Sequence, residues 1–279
     1  RPPCAGPGGT QTRPLLSLTC LALTASCGGG GGSTDHEPPP IIELTTEKVI
    51  GLSPSYRAVF DCTARGSYNG APGTARGTYT IETGSGPFTH PQTGVDGTPV
   101  RNALDVSVLT QRIQGYVDEF IHVDGAGRWW SLGGVAYDGT QSWWSDDPPA
   151  LYPDPIGPVT GRILNQDDTI SVGQSITVPA IDALSNDLTT TLFTRSSTRD
   201  VVSVEVIDTP IGRYECYRIE ASETIDLNDG TDPYTVDYVR WERPEMGLLK
   251  LHAEGIQLTY GTEKVTVTAL DCLIRSYRQ

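Results

Sequence analysis

At 279 residues, with 37% apolar and 19% charged side chains, the chain can bury a full-sized core and suits one large β domain or two small ones. Its 31 Gly, 21 Pro and 12 Tyr stand against a single Met, Met246, a balance that favours strands and turns over helices. The formal net charge of -14 argues against nucleic acid and anionic lipid surfaces as partners, because both are held by clustered Lys and Arg.

The chain opens with RPPCAGPGGTQT, then Arg13 and the largely apolar run LLSLTCLALTAS at 15–26. A positive residue ahead of a short apolar stretch is the layout of a secretory signal. The run is too short to span a bilayer, which takes about 20 apolar residues. It ends in Leu23-Thr24-Ala25-Ser26-Cys27, small residues before a cysteine. This resembles the lipobox of bacterial lipoproteins, with Thr24 departing from the Leu usual at its position. The resemblance implies cleavage before Cys27 and lipidation of Cys27 as the new N-terminus. Gly28 in place of Asp implies, by the sorting pattern of such lipoproteins, an outer-membrane location.

Glycines 28–32 and the stretch STDHEPPP follow, a flexible tract running into a stiff one, as a tether between lipid and domain requires. Several acyl chains on one cysteine give stable attachment, whereas one would be marginal. The expected organisation is a signal peptide at 1–26, a lipidated cysteine with Gly/Pro-rich tether at 27–40, and a single antiparallel β domain at 41–279. Loss of 1–26 removes Arg1 and Arg13 and leaves 18 basic against 34 acidic residues.

From about residue 41 short period-2 segments alternate with Gly, Asp, Asn and Pro turns, the pattern of an antiparallel sheet. Tyr56, Ala58, Phe60 and Cys62 share one face of the first strand, and 78–82, 104–109 and 117–123 continue the series. Asp124, Gly125, Ala126 and Gly127 predict a hairpin turn into a strand at 128–132. The stretch 146–168 holds five prolines and no periodicity, which predicts a loop or crossover. Strands resume at 175–178, 201–207, 213–221, 234–241, 248–253, 257–260 and 264–270, while 181–195 leaves room for a short helix.

With Cys4 and Cys20 in the signal and Cys27 lipidated, Cys62, Cys216 and Cys272 remain, so at least one thiol is unpaired. Export permits a disulfide, and Cys62 with Cys272 would tie the first strand of the domain to the last. Such a closure stabilises by roughly 4–5 kcal/mol in the chain-entropy account. Cys216, within YECYRIE, is equally an alternative partner or a buried thiol. No CxxC or Cys/His cluster supports structural zinc or thioredoxin chemistry.

The sequence carries no GxSxG elbow, HExxH pair, P-loop or dinucleotide fingerprint, and its four histidines, His36, His90, His122 and His252, are dispersed. No catalytic set, metal site or cofactor is therefore expected. The acidic run Asp226-Leu227-Asn228-Asp229-Gly230-Thr231-Asp232 lacks EF-hand spacing, and a hairpin turn accounts for it without calcium. The most unusual feature is the pair of doublets Trp129-Trp130 and Trp143-Trp144, four of five tryptophans within sixteen residues. Neighbours in a strand face opposite sides, so each doublet would send one indole inward and one outward. Outward indoles could stack on a sugar or line a lipid groove, or simply lie under a covering loop.

The segments PPALYPDPIG, VGQSITVPA, TPIGRYECYRIEAS and VRWERPEMGLLKL, spread over about 148–255, resemble envelope lipoproteins with a LolA-like half-barrel, although 161–171 reads as an insertion. In them Gly173 and Gly212 allow turns, and Pro244 with Gly247 shapes a bend. The resemblance implies a strongly curved antiparallel sheet with little helix around an apolar groove, and a β-sandwich is the alternative. The function expected is a non-enzymatic envelope lipoprotein, tied to the membrane by its lipidated N-terminus, that binds a lipid, a lipoprotein or another apolar partner in a concave surface. The alternatives are a surface sandwich that binds carbohydrate or protein through Trp129, Trp130, Trp143 and Trp144, and a structural subunit of a surface assembly.

Overall fold

The alternating segments become strands because each offers one apolar face to a shared interior, and pairing extends them well beyond their periodic centres. In the computed structural model the described residues are 56–84, 86–89, 94–108, 111–123, 129–137, 172–184, 191–226, 230, 232–243, 246–260 and 263–278. They form twelve strands and no helix. The strands are β1 Arg57–Tyr68, β2 Ala71–Thr83, β3 Phe88–Thr89, β4 Asp96–Val108, β5 Gln111–Val123 and β6 Trp129–Tyr137. They continue as β7 Ser175–Leu184, β8 Thr191–Thr209, β9 Gly212–Asp226, β10 Tyr234–Arg243, β11 Gly247–Tyr260 and β12 Glu263–Arg278.

All but β3 lie in one antiparallel sheet in the order β6-β5-β4-β2-β1-β12-β11-β10-β9-β8-β7, with β3 pairing β4 at the side. The order is two meanders set back to back. Within each, neighbours in space are neighbours in sequence, apart from the short β3; the exception is the central seam, where β1 pairs with β12. The segment 138–174 joins the two outer edges, because β6 ends the first meander and β7 begins the second.

The sheet is strongly curved and open. Three strands separate β8 from β12, which in a flat sheet would place them about 19 Å apart, yet residues of the two approach within 8 Å between Cα atoms. Among the described residues one continuous sheet forms, and the β-sandwich alternative with two facing sheets does not.

Local chemistry sets the turns. Asn69 and Gly70 take φ of 48° and 82°, both positive, as a two-residue turn of right-twisting strands requires. The Asn69 side chain accepts a hydrogen bond from Lys264 N at 2.7 Å, tying this turn to β12. Gly173 and Gly247 also have positive φ, 89° and 73°, consistent with the turns assigned to them in the sequence. Tyr56, Ala58, Phe60 and Cys62 are all buried, as their shared face predicts; Val59 is buried as well, at a register shift between Val59 and Phe60.

Two expectations fail. The helix allowed at 181–195 is absent where the chain is described: Ser175–Leu184 is β7, and β8 begins at Thr191. Ile181, Asp182, Ala183 and Leu184 pair with β8, and the β-branched and aromatic residues Thr191 and Phe193 suit that ladder better than a helix. The separate strands read at 248–253 and 257–260 are one, β11, carried through Gly255 with φ of 69° while Glu254 and Ile256 both keep partners on β12. The turn predicted at Asp124, Gly125, Ala126 and Gly127 lies outside the described residues, although the strands it joins do pair.

Candidate functional site

Residues directly opposite in an antiparallel pair share a face, so the registers assemble rows across the sheet. One row runs Val201, Ile219, Arg240, Leu251, Cys272, Cys62, Gly77 from β8 to β2. The next runs Arg199, Ala221, Tyr238, Ala253, Leu270, Ala64. A third joins Ser197, Glu223 and Val236. Their side chains belong to the buried face, where the core cluster draws on β1, β2, β8, β9, β10, β11 and β12 among others.

This face is one apolar core in which a few charged side chains are embedded. Across β11, β12 and β1 it is apolar, with Leu251, Ala253, Cys272, Ile274, Cys62 and Phe60 buried. Across β8, β9 and β10 the apolar core continues through Val201, Ile219, Val236 and Tyr238, and Arg240 at 1% exposure, Glu223 at 1% and Glu242 at 4% are buried among them. Period 2 explains the arrangement: Arg240 and Glu242 continue the inward phase of Val236 and Tyr238, and Glu223 lies between Ala221 and Ile225 on the inward phase of β9.

Buried ions require compensation, because desolvation removes more than a surface pair returns. Arg240 Nη2 meets Glu242 Oε1 in an ion pair between side chains two residues apart on β10. Arg240 Nε and Nη1 and Arg199 Nε are sealed from solvent without a hydrogen-bond acceptor. Burial lowers the pKa of the Arg199 guanidinium, and the nearby charge of Arg240 adds to this, against the support of Tyr238, Glu242 and Glu223. In the other meander the buried Tyr79 hydroxyl donates to Asn102 Oδ1 at 2.6 Å.

The opposite face carries ordinary surface electrostatics. Trp241 Nε1 donates to Glu205 at 2.8 Å, and Lys250 Nζ lies 4.2 Å from the centre of the Trp241 ring. Arg218 bridges toward Glu205 and Glu220. His252 sits between Asp271, at 2.7 Å, and Glu254, at 3.1 Å, while His122 Nδ1 lies 2.7 Å from the Asp96 carbonyl. Both strand histidines have hydrogen-bond partners, and among the described residues no group of three His, Cys, Asp or Glu is placed to hold a metal.

Of the residues singled out in the sequence, Cys62 and Cys272 are joined by a disulfide across the seam. Cys216 is a free, buried thiol whose pKa burial pushes up to about 12. The acidic run at 226–232 connects β9 to β10, with Ile225 opposite Tyr234 across the hairpin. Trp129 and Trp130 pair through their backbones with Val123 and His122 on β5, and their side chains lie outside the description. Cys27 and its tether, Trp143 and Trp144 lie outside the described residues. Sequence reasoning missed Arg199, Glu223, Arg240 and Glu242. The available signal was the strand YTVDYVRWER, where charge occupies two consecutive inward positions.

No family model matches the chain, and no curated protein matches it. Two solved structures show a distant likeness. One is a candidate lipoprotein of Parabacteroides distasonis ATCC 8503, 12% identical with a TM-score of 0.32, covering 81% of this chain and 96% of that one. The other is a candidate exported protein with a YmcC-like fold from Bacteroides fragilis NCTC 9343, 10% identical with a TM-score of 0.34, covering 86% of this chain and 100% of that one. The LolA-like resemblance of 148–255 has no family model behind it.

Proposed function

We propose that the protein is a non-enzymatic lipoprotein of the bacterial envelope, held in the outer membrane through Cys27, whose concave face receives an acyl chain or another apolar partner. The observation that carries this reading is the apolar zone on one face of a single open, curved sheet, spanning β11, β12 and β1. An open sheet that curls presents such a band along its inner side, where an extended apolar chain can replace side-chain packing with its own. The signal run and the cysteine after it supply the address. The membrane would then be met through acyl chains and not through a basic surface, in keeping with the net charge of -14.

The test has two parts. Mass spectrometry of the N-terminal peptide from protein extracted from its native membrane should find Cys27 as an acylated terminus; an unmodified terminus elsewhere would end the anchored reading. Extraction of the purified domain with organic solvent should release lipid bound in stoichiometric amount. A domain that carries none, and that binds no added long-chain amphiphile, would end the concave-site reading.

A further inference from the structure

We propose that residues 202–209 of β8 form a docking edge for the segment 41–50, which adds to the sheet there as a further strand. The inference goes beyond the acyl-chain reading above and does not depend on it.

The first observation is a strand partnered on one side. β7 accompanies β8 as far as Asp200, which faces Ser175. One more bridge follows, in which Gly173 N donates to Val201 O and Val201 N donates to Gln174 O. Beyond it β8 continues, paired with β9 from Ser203 to Thr209. Among the described residues nothing pairs with this stretch on its other side. A row of unpaired N–H and C=O groups is a template for another strand, and sheets ordinarily guard it with proline or lysine. The neighbouring edge strand β7 is guarded in this way, with Pro179 at mid-strand and Asp182 nearby. The stretch VSVEVIDT at 202–209 has neither proline nor lysine, and its Glu205 is held toward Trp241 and Arg218.

The second observation is apolar exposure at the same place. Five large apolar side chains are exposed among the described residues, and four of them gather here. They are Val172, next to the bridging Gly173, and Val202, Val204 and Val206, at 41%, 40% and 44% exposure. Alternate residues of a strand share a face, so the three valines of β8 form one row. Val204 lies opposite Tyr217, which continues the inward phase of Ile219, so the row extends the buried face beyond its cover. An incoming strand with apolar side chains shields that row while it satisfies the backbone.

The third observation selects the occupant. Cys62 shares a row with Val201, and β1 runs opposite to β8. The residues before Cys62 and those after Val201 therefore lie at the same end of the sheet, and the chain ahead of Tyr56 enters β1 at the end that holds 202–209. Ahead of Tyr56 stands IIELTTEKVI at 41–50, with Ile41, Ile42, Leu44, Val49 and Ile50 as apolar groups and six of ten residues β-branched. From Ile50 to Tyr56 the chain extends over about 20 Å. The curl that brings β8 near β12, the neighbour of β1, shortens the crossing. A segment of the same chain also has a higher effective concentration than a separate partner.

The experiment uses the full chain and two readouts. Trypsin needs an unpaired segment to cut after Lys48, and hydrogen exchange reports the amides of 202–209. Wild type should resist cleavage at Lys48 and protect 202–209. Val204→Lys, which sets a charge in the exposed row and leaves the core intact, should speed cleavage at Lys48 at least tenfold. Leu44→Pro, which removes a backbone donor from the segment, should speed exchange of 202–209 at least tenfold while exchange in β12 is unchanged, showing that the sheet is folded. The synthetic peptide IIELTTEKVI, added to Leu44→Pro, should restore the protection. Equal cleavage at Lys48 in wild type and Val204→Lys overturns the assignment, as does exchange of 202–209 that ignores Leu44→Pro. Protection that survives Leu44→Pro and weakens on dilution would give the edge to a second copy instead.

Discussion

The seam between the two meanders depends on residues far apart in the chain, and the disulfide across it can be used to measure that dependence. Cys62 and Cys272 sit directly opposite each other on β1 and β12, separated by 210 residues. In the chain-entropy account, closing a loop of that length lowers the entropy of the unfolded chain enough to stabilise the fold by about 5 kcal/mol at 25 °C. Comparing oxidised with reduced wild-type protein isolates the bond without adding the cavities that alanines would leave at two buried positions. With a guanidinium slope of about 5 kcal/mol/M, reduction should lower the unfolding midpoint by about 1 M. It should also slow refolding, because closure of the seam then bears the full loop entropy before its pairing is gained. Should the midpoint shift stay under about 0.2 M, with the bond verified by mass in the oxidised sample, the entropic reasoning would be refuted.

Other expectations can be checked with the same unfolding assay. Removing Arg240 alone, as Arg240→Leu, leaves Glu242 buried without its counterion and should cost about 3–5 kcal/mol, while Arg240→Leu with Glu242→Leu should recover most of the loss; equal damage from the single and double variants would show that the pair is not the source. Gly77→Ala places a methyl carbon 2.0 Å from the Asp105 carbonyl oxygen and should cost about 1–3 kcal/mol or more. Gly70→Ala, with φ of 82° and open space around the new carbon, should cost only about 1 kcal/mol of backbone strain. The Cys216 thiol titrates near 9.0 when exposed and near 12 when folded, so its stabilising contribution is complete below pH 9 and is lost as pH rises from 9 to 12, by roughly 1.4 kcal/mol per unit. Wild type and Cys216→Ala should therefore diverge in alkaline slope, and a thiol reagent at pH 8 should label Cys216 only after unfolding.

Much of the sheet was legible because its strands have one wet face. The alternation Tyr56, Ala58, Phe60, Cys62 marks the inward side of β1, and all four are buried. The outer part of β8 was not legible: TRSSTRD is polar at both phases, so period 2 vanishes although pairing with β7 and β9 holds it as strand. The Asn69-Gly70 dipeptide is itself a strong hairpin signal, and β1 and β2 pair on either side of it. Register could not be read at all, since nothing in a strand's own sequence says which distant strand it will meet; the two cysteines were the only hint that β1 lies against β12. The candidate site was hidden for a related reason. A charged residue in a strand is ordinarily assigned to the wet face, and Arg240 and Glu242 betray their direction only once Val236 and Tyr238 fix the inward phase.

The nested order of the strands also separates the buried charges from the apolar band. Arg199, Glu223, Arg240 and Glu242 lie on β8, β9 and β10, neighbours within one meander whose pairings form between segments close in sequence. The apolar band instead crosses the seam, drawing Leu251 and Ile274 from one meander and Phe60 and Ala58 from the other. Loosening the seam should therefore act on a bound acyl chain. Reduction of the disulfide, under conditions where the protein stays folded, should weaken myristate and tetradecanol by a similar factor, because both lose chain contacts along β12 and β1. If reduction instead left both affinities unchanged, the chain would have to lie away from the seam, and its placement along β12 and β1 would be wrong.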